Sequence, residues 1–510
     1  MSEYTRRDFL VRGTVATAGG LIGLGGGYPQ RSLFQPGERG ARSMIDARKA
    51  YPAWLLHAVT VVLILLGIAI STTTAQAQKS YEFTAIAFLG DPAPGGGFFT
   101  FDFEPYGIND RGDVLFVADL TTGGEGVFLE RKGHTSALAR SGDPAPGGGT
   151  FSGGVLPVLS LNGPGDVAFA FLLETCNPAF ESVNLGLYRY SHASRVVTPV
   201  IVPCVTPAPQ GGTFVAAWLH PSLNNKGDLV FTAVFPTEAG PAGNTQGLGL
   251  GIFKADENKA GISSLVIPGD RAPGGSTFDF AENPWINNRG DVAFGAHVAG
   301  EECIPISEIP IFCGESVYLM TAPTGEIRSI AHQGDPAPGG GTFRLAFEPV
   351  INNRGDIAFT GDLTPAPGVV QSLGIFLHSG DKTLPVARPG DPMPGGGNFL
   401  TASAFVGTYD LNNHGDVSFL ATLDTTAANG VADTGLYVRT RGSLHLVARS
   451  GTVIPGVGKI VTVLPTVPAF GGVMNDRGQI LFAATVDNGD GVLLVATPSG
   501  EEDDQDGDEQ

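Results

Sequence analysis

The reactive side chains of this chain are four cysteines, nine histidines and a recurring series of aspartates. Cys176, Cys204, Cys303 and Cys313 all lie beyond residue 79. An even count in an exported domain suggests disulfides, and four cysteines allow three connectivities. Cys303 and Cys313 bracket the short insertion ECIPISEIPIFC, so pairing within it is expected. Closing so small a loop contributes ~2–3 kcal/mol in the chain-entropy picture. Zinc is the rival, but it wants C-x-x-C pairs or clustered histidines, and the chain has neither. The histidines are scattered, without H-E-x-x-H spacing, and no G-x-S-x-G elbow presents a serine. Asp113, Asp166, Asp228, Asp291, Asp356 and Asp416 each follow a glycine. Six equivalent carboxylates read as turn-stabilising, because acid–base catalysis needs carboxylates in differing environments. No catalytic residue, metal or cofactor is expected from these patterns.

The aspartates belong to a repeat. Its most regular element is N-x-x-G-x-x-(A/L/V/S)-F, read as NDRGDVLF at 109, NGPGDVAF at 162, NNKGDLVF at 224 and NNRGDVAF at 287. It continues as NNRGDIAF at 352, NNHGDVSF at 412 and NDRGQILF at 475. Successive asparagines are 53, 62, 63, 65, 60 and 63 residues apart, a regularity that marks tandem structural units. Asparagine caps its own backbone two residues on, and glycine three positions later tolerates positive φ. The structural turn positions are therefore Asn109/Gly112, Asn162/Gly165, Asn224/Gly227, Asn287/Gly290, Asn352/Gly355, Asn412/Gly415 and Asn475/Gly478. His414 takes the place of Arg or Lys in this turn and reads as a surface residue.

Each turn sits between short apolar runs, and two further strand signals follow, such as GVFL at 126 and TSALARSGD at 135. Trp218 and Trp285 lie in the run before the turn, where core packing is expected. The decamer GDPAPGGGTF, identical at 142–151 and 334–343, recurs with variants at 90, 269 and 390 and weaker echoes near 207 and 451. Proline cannot continue a ladder and glycine lets the chain swing back, so it reads as the connection between units. A phosphate loop would need Lys-Ser/Thr and a following helix, which are missing.

Four strands in each of seven units describe an all-β, seven-bladed β-propeller. The last unit shows only three strand signals, while YEFTAIAFLGD at 81–91 is an orphan strand. The N-terminal strand near 81–90 is thus expected to close the last blade, abolishing exposed sheet edges. Insertions at 174–184, 236–250 and 300–315 break the pattern, and loops on a rigid scaffold are the better candidates for binding.

The expected organisation is an export region over 1–78, the propeller over 79–497 and an acidic disordered tail over 498–510. Within the first, a twin-arginine-like segment (5–27) and a linker (28–52) precede an apolar signal or anchor (53–78). Arg6-Arg7 followed by Phe9-Leu10 carries the first of these, and its glycines at 20–27 follow no strand, which excludes a dinucleotide loop. Arg48-Lys49, the apolar run Ala53 to Ile70 and Ala75-Gln76-Ala77 carry the last. Cleavage after Ala77 and retention as an anchor both remain open, as does a start at Met44; either way the expected location is periplasmic, cell-surface or extracellular. The first 78 residues hold eight Lys/Arg against four Asp/Glu, leaving 22 against 46 beyond them, a net −24. Such a surface repels phosphate backbones, so nucleic acid is excluded as a partner. Membrane contact is expected only through the N-terminal apolar segment.

Tandem N-x-x-G-x-x-A-F units of this kind resemble a family of bacterial exported proteins that end in varied surface-anchoring signals. The resemblance covers nearly all of 81–497 and rests on all seven copies, but no Pro-Glu-Pro sorting motif or apolar helix follows 497. It implies export and a repeat scaffold, and brings no catalytic residues. The functional expectation is a binding or scaffold protein for a glycan or cell-surface protein. The alternative is a polysaccharide-acting hydrolase or lyase with its site over the channel, marked by acidic or histidine side chains unique to single blades and converging there.

Overall fold

A computed structural model describes residues 80–152, 159–174, 184–218, 220–237, 247–257, 261–301, 315–364, 373–401, 409–427, 430, 432–464 and 473–499. Residues 1–79, residues 500–510 of the tail, and Cys176, Cys303 and Cys313 lie outside them. No helix among the described residues is long and apolar enough to cross a membrane.

The first strand, β1 (Ser80–Phe88), is followed by β2 (Phe99–Ile108), β3 (Val114–Leu120), β4 (Glu125–Arg131) and β5 (His134–Arg140). Strands β2 to β5 pair antiparallel in chain order, and this four-stranded meander recurs in every repeat, giving seven sheets. The molecule is a seven-bladed β-propeller. Strand β3 is buried almost throughout, because both faces of each sheet pack against neighbouring blades. That is why these strands read as continuous apolar runs. The fourth strands are instead mostly half-buried or exposed, as in β5 and Val196–Ile201, since they form the rim.

The seventh blade is completed from the other end of the chain. Strand β1 pairs antiparallel with Gly491–Ser499, from Ser80 opposite Ser499 to Phe88 opposite Val492. Tyr81, Phe83, Ala85 and Phe88 pack on the blade core that contains Ile480, Phe482 and Leu494. The orphan strand of the sequence is therefore the outermost strand of the last blade.

An aromatic trio fills each of the first six blades. One ring comes from the connecting loop, one from the strand after the turn, and one from the next strand. In the second blade these are Phe151, Phe169 and Tyr188, with Phe151 edge-on to Tyr188 at 4.9 Å. In the fifth they are Phe343, Phe359 and Phe376, with Phe343 edge-on to Phe376 at 5.0 Å. Such pairs add about 0.5–1.5 kcal/mol beyond area burial. The duplicated decamer is thus a connection whose last residue is a core plug. Its loop is closed by Gly334 N to Phe343 O (2.8 Å), Phe343 N to Asp335 O (2.9 Å) and Ala337 N to Gly341 O (2.9 Å), and the copy at 142–151 repeats all three. Three successive glycines, Gly339, Gly340 and Gly341, have φ of +88°, +107° and +84°. Nothing lies within 4 Å of a Cβ built on Gly340, so the need there is conformational. Gly340→Ala is expected to cost about 1–2 kcal/mol, read as a lower urea midpoint with an unchanged slope.

Candidate functional site

The turn asparagines are bonded to one another around the ring. Asn109 Nδ2 donates to the carbonyl of Asn162 (3.3 Å), Asn162 to Asn224 (3.1 Å) and Asn224 to Asn287 (3.3 Å). Asn287 then donates to Asn352 (3.2 Å), Asn352 to Asn412 (2.9 Å), and Asn475 back to Asn109 (3.0 Å). The remaining link is weaker: Asn412 Nδ2 reaches Met474 Sδ at 4.0 Å. A second circuit runs one residue on. There, the backbone N–H groups of Gly163, Asn225, Asn288, Asn353, Asn413 and Asp476 each donate to the next blade's side chain at 2.7–2.9 Å. It is interrupted only after Asp110, because Gly163 offers no side-chain acceptor.

Each asparagine also builds its own turn. Asn352 Oδ1 accepts from Arg354 N (3.0 Å) and Asp356 N (2.9 Å), while Nδ2 donates to Asp356 Oδ2 (2.9 Å). Both ends of the amide are used, which aspartate could not match. The turn glycines Gly112, Gly165, Gly227, Gly290, Gly355, Gly415 and Gly478 have φ of +71° to +97°. His414 N donates to Asn412 Oδ1 at 3.0 Å, within the turn. The aspartates serve these turns. Burial pushes the Asp113 carboxyl up, but hydrogen bonds from Asn109, Arg131 and Arg111 outweigh it and hold the group below its ordinary range. Asp291 and Asp356 are lowered against the same burial by their own donors, Ala322 N first for one and Ser379 for the other. Their stabilisation is present above pH 3.8 and is lost as pH falls through the lower folded values.

A different set of side chains interrupts the regularity from the third blade round to the sixth. Eight residues after the turn asparagine, four units carry Val117, Ala170, Leu420 and Ala483, but the third, fourth and fifth carry Thr232, Gly295 and Thr360. Gly295 stands opposite Glu282 in the ladder, and a Cβ on it would collide with the Glu315 carboxyl. Glu282 is 1% exposed and Glu315 3%. Burial, then the neighbouring carboxyls of Glu282 and Glu348, pushes Glu315 well above the usual carboxylate range. Burial also raises Glu282, although Glu315 and the Trp218 indole N–H favour its charged form. That N–H lies near Glu282 without completing a well-formed hydrogen bond. Farther round, Tyr409 OH donates to the Glu348 carbonyl, with Thr360 beside it. Trp218, Glu282, Glu315, Glu348 and Tyr409 thus form a polar arc across four blades.

Backbone strain accompanies the arc. His220, Asn283 and Glu348 occupy equivalent positions in three successive blades, each precedes a proline, and their φ values are +63°, +55° and +56°. Left-handed non-glycine residues cost of order 1–3 kcal/mol each and persist where the surroundings impose them. Asn283 N is held by Thr232 Oγ1 at 3.2 Å. Glu282 Oε2, Glu315 Oε2, Asn283 Oδ1, His220 Nε2 and Thr360 Oγ1 are buried without partners among the described residues. Burial drives the His220 imidazole down to about 3, so it is neutral. No three His, Cys, Asp or Glu among the described residues are arranged to hold a metal ion.

Of the cysteines, only Cys204 is described; it is disulfide-bonded, to a partner outside the described residues, where the expected 303–313 pairing also falls. Most of the insertions at 174–184, 236–250 and 300–315 fall there as well. Trp285 packs against two blade cores, as expected, whereas Trp218 faces Glu282. Repeat logic missed the arc because its members do not recur.

A carboxyl raised by burial costs stability as pH rises above its unfolded value of 4.5. Glu315→Gln is therefore expected to raise the melting temperature at pH 7.5, with the gain shrinking at pH 5; an equal gain at both would contradict the buried charge.

Fold and site together define a seven-bladed propeller with a bonded asparagine ring and one polar arc. The chain belongs to a family described as "Family of unknown function (DUF7453)", whose model matches residues 66–342 and 313–494. No curated protein matches the sequence. Similar solved structures include a puromycin-hydrolyzing peptidase of Mycobacterium tuberculosis, at 15% identity, TM-score 0.45 and 83% of this chain. The chain spans 55% of that peptidase's length. The β-propeller domain of the Trilobed protease from Pyrococcus furiosus is similar at 10% identity and TM-score 0.43, over 81% of this chain and 100% of the domain. A PL25 ulvan lyase is similar at 11% identity and TM-score 0.40, over 83% and 94% of the two chains.

Proposed function

We propose that this protein is an exported binding or scaffold propeller of the cell envelope or extracellular space, and that a glycan engages the arc of the third to sixth blades. The observation that carries the reading is a run of adjacent blades in which a left-handed residue precedes proline at the same position, beside carboxyl and amide oxygens that are buried without partners among the described residues. Unsatisfied polar groups and strained backbone are expensive, and they cluster at binding sites. Export is supported by the two signal-like segments before residue 79 and by the resemblance to exported repeat proteins. The test is a glycan array with the full chain, together with capture from an envelope fraction. Blank results in both defeat the reading. N-terminal sequencing of protein recovered by cell fraction tests the location.

A second reading is favoured by one observation, the Glu282–Glu315 pair. Two carboxyls of raised proton affinity with different neighbours are what acid–base chemistry on a polysaccharide requires. A panel of polysaccharides assayed for new reducing ends and for unsaturated uronates tests it. Product formation that survives Glu315→Gln would place any activity elsewhere.

A further inference from the structure

The arc's free atoms have a chemical bias. Glu282 Oε2, Glu315 Oε2 and Asn283 Oδ1 can accept, and only the Trp218 N–H is an obligate donor. Neither Glu282 nor Glu315 has an ion-pair partner among the described residues, and the charged groups that act on them are carboxyls alone: each other, and Glu348. Trp218 and Glu348, on either side of the buried carboxyls, are both part-exposed. A ligand that engages these carboxyls in their charged form must bring N–H donors and positive charge. An ammonium brings three donors and no acceptor. A pair of carboxyls beside an indole suits it twice, through ion pairing and through the ring. Metal ions are the other source of positive charge, but no metal-holding group occurs among the described residues.

We propose that the arc binds the primary ammonium of an amino sugar, with Glu282 and Glu315 taking the ammonium, Asn283 and Thr360 the ring hydroxyls, and Trp218 the sugar face. The proposal rests on the glycan reading above and narrows it to hexosamines bearing a free amine. A buried carboxyl without a counter-ion holds a proton, so entry of the cation expels it.

The probes are β-1,4-linked glucosamine oligomers, the same oligomers N-acetylated, and a short lysine peptide, each titrated calorimetrically into the full chain. The free-amine oligomer is expected to bind, with acetylation weakening it roughly tenfold or more. Measured at a pH where the free sugar amine is already fully protonated, and in two buffers of different ionisation enthalpy, its binding is expected to release protons. Glu282→Gln/Glu315→Gln is expected to abolish the preference for the free amine. Trp218→Phe is expected to weaken the free-amine and acetylated oligomers alike. Equal binding of both oligomers, or an amine preference that survives the double substitution, overturns the proposal while the glycan reading stands. Binding of the lysine peptide with no sugar overturns both. Should the double variant not fold, the wild-type proton count decides: binding without proton release overturns the proposal.

Discussion

Deleting Ser80–Phe88 is expected to lower the melting temperature sharply and to make the protein self-associate. The strand contributes eight residue pairs to Gly491–Ser499, and Phe83 meets Phe482 edge-on at 6.1 Å. Ala87, 4% exposed, lies in the core shared with the first blade. At about 1 kcal/mol net per backbone hydrogen bond and ~1.5–3 kcal/mol per large apolar side chain, the loss is on the order of 10 kcal/mol. That is comparable with the whole stability of a typical domain. The uncovered strand would also present a long row of unpaired N–H and C=O groups, a template for another chain. Calorimetry and light scattering on the truncated and full chains decide the matter. A truncated protein of unchanged size that melts within a few degrees of the full chain would refute closure by this strand.

The second large effect is expected from Asn287→Asp, a change of one atom. Asn287 Oδ1 accepts from the backbone N–H groups of Arg289, Gly290 and Asp291, all at 3.0 Å. Its Nδ2 donates to Asp291 Oδ2 (3.1 Å) and to the Asn352 carbonyl (3.2 Å). Aspartate keeps the acceptor but points a second anionic oxygen at a carboxylate and a carbonyl, in a site only 3% exposed. The cost at neutral pH is about 3–5 kcal/mol, the scale for an uncompensated buried charge. The sign of its pH dependence is fixed. The new carboxyl has its folded pKa raised, so the penalty relative to wild type shrinks as pH falls and the group takes up a proton that can donate. Urea unfolding of both proteins at pH 7.5 and pH 5 measures this. A difference that is small, or that grows toward acid, would show that the asparagine ring carries little of the structure.

How much of this was readable from the letters alone depends on whether a residue recurs. Turns and strands repeat seven times, so Asn109 or Gly112 is interpreted by its six counterparts, and the orphan strand near 81 by the gap it fills. The links between asparagines were not legible, because they join residues about 60 apart that only the packed ring brings together. The arc was least legible. Glu282 sits in a run that otherwise reads as core, and Glu315 ends an insertion whose packing the sequence does not encode locally. A signal did exist in the column eight residues after each turn asparagine, where Thr232, Gly295 and Thr360 replace apolar residues in three adjacent units. A second lay in the polar residue before proline at His220, Asn283 and Glu348. Both become visible only when the units are stacked and compared by column.

The asparagine circuit has a direction, since each turn gives a proton donor forward and receives one from behind. A unit carries its own plug and its own socket, and nothing in that bonding counts to seven. An extra module spliced in whole would find its polar needs met by whichever neighbours it acquired. The number of blades must then be set elsewhere, in how the blade cores pack, and the thioether contact at Met474 is spanned by the bonds from Asn413 to Asp476 and from Met474 to Asp410.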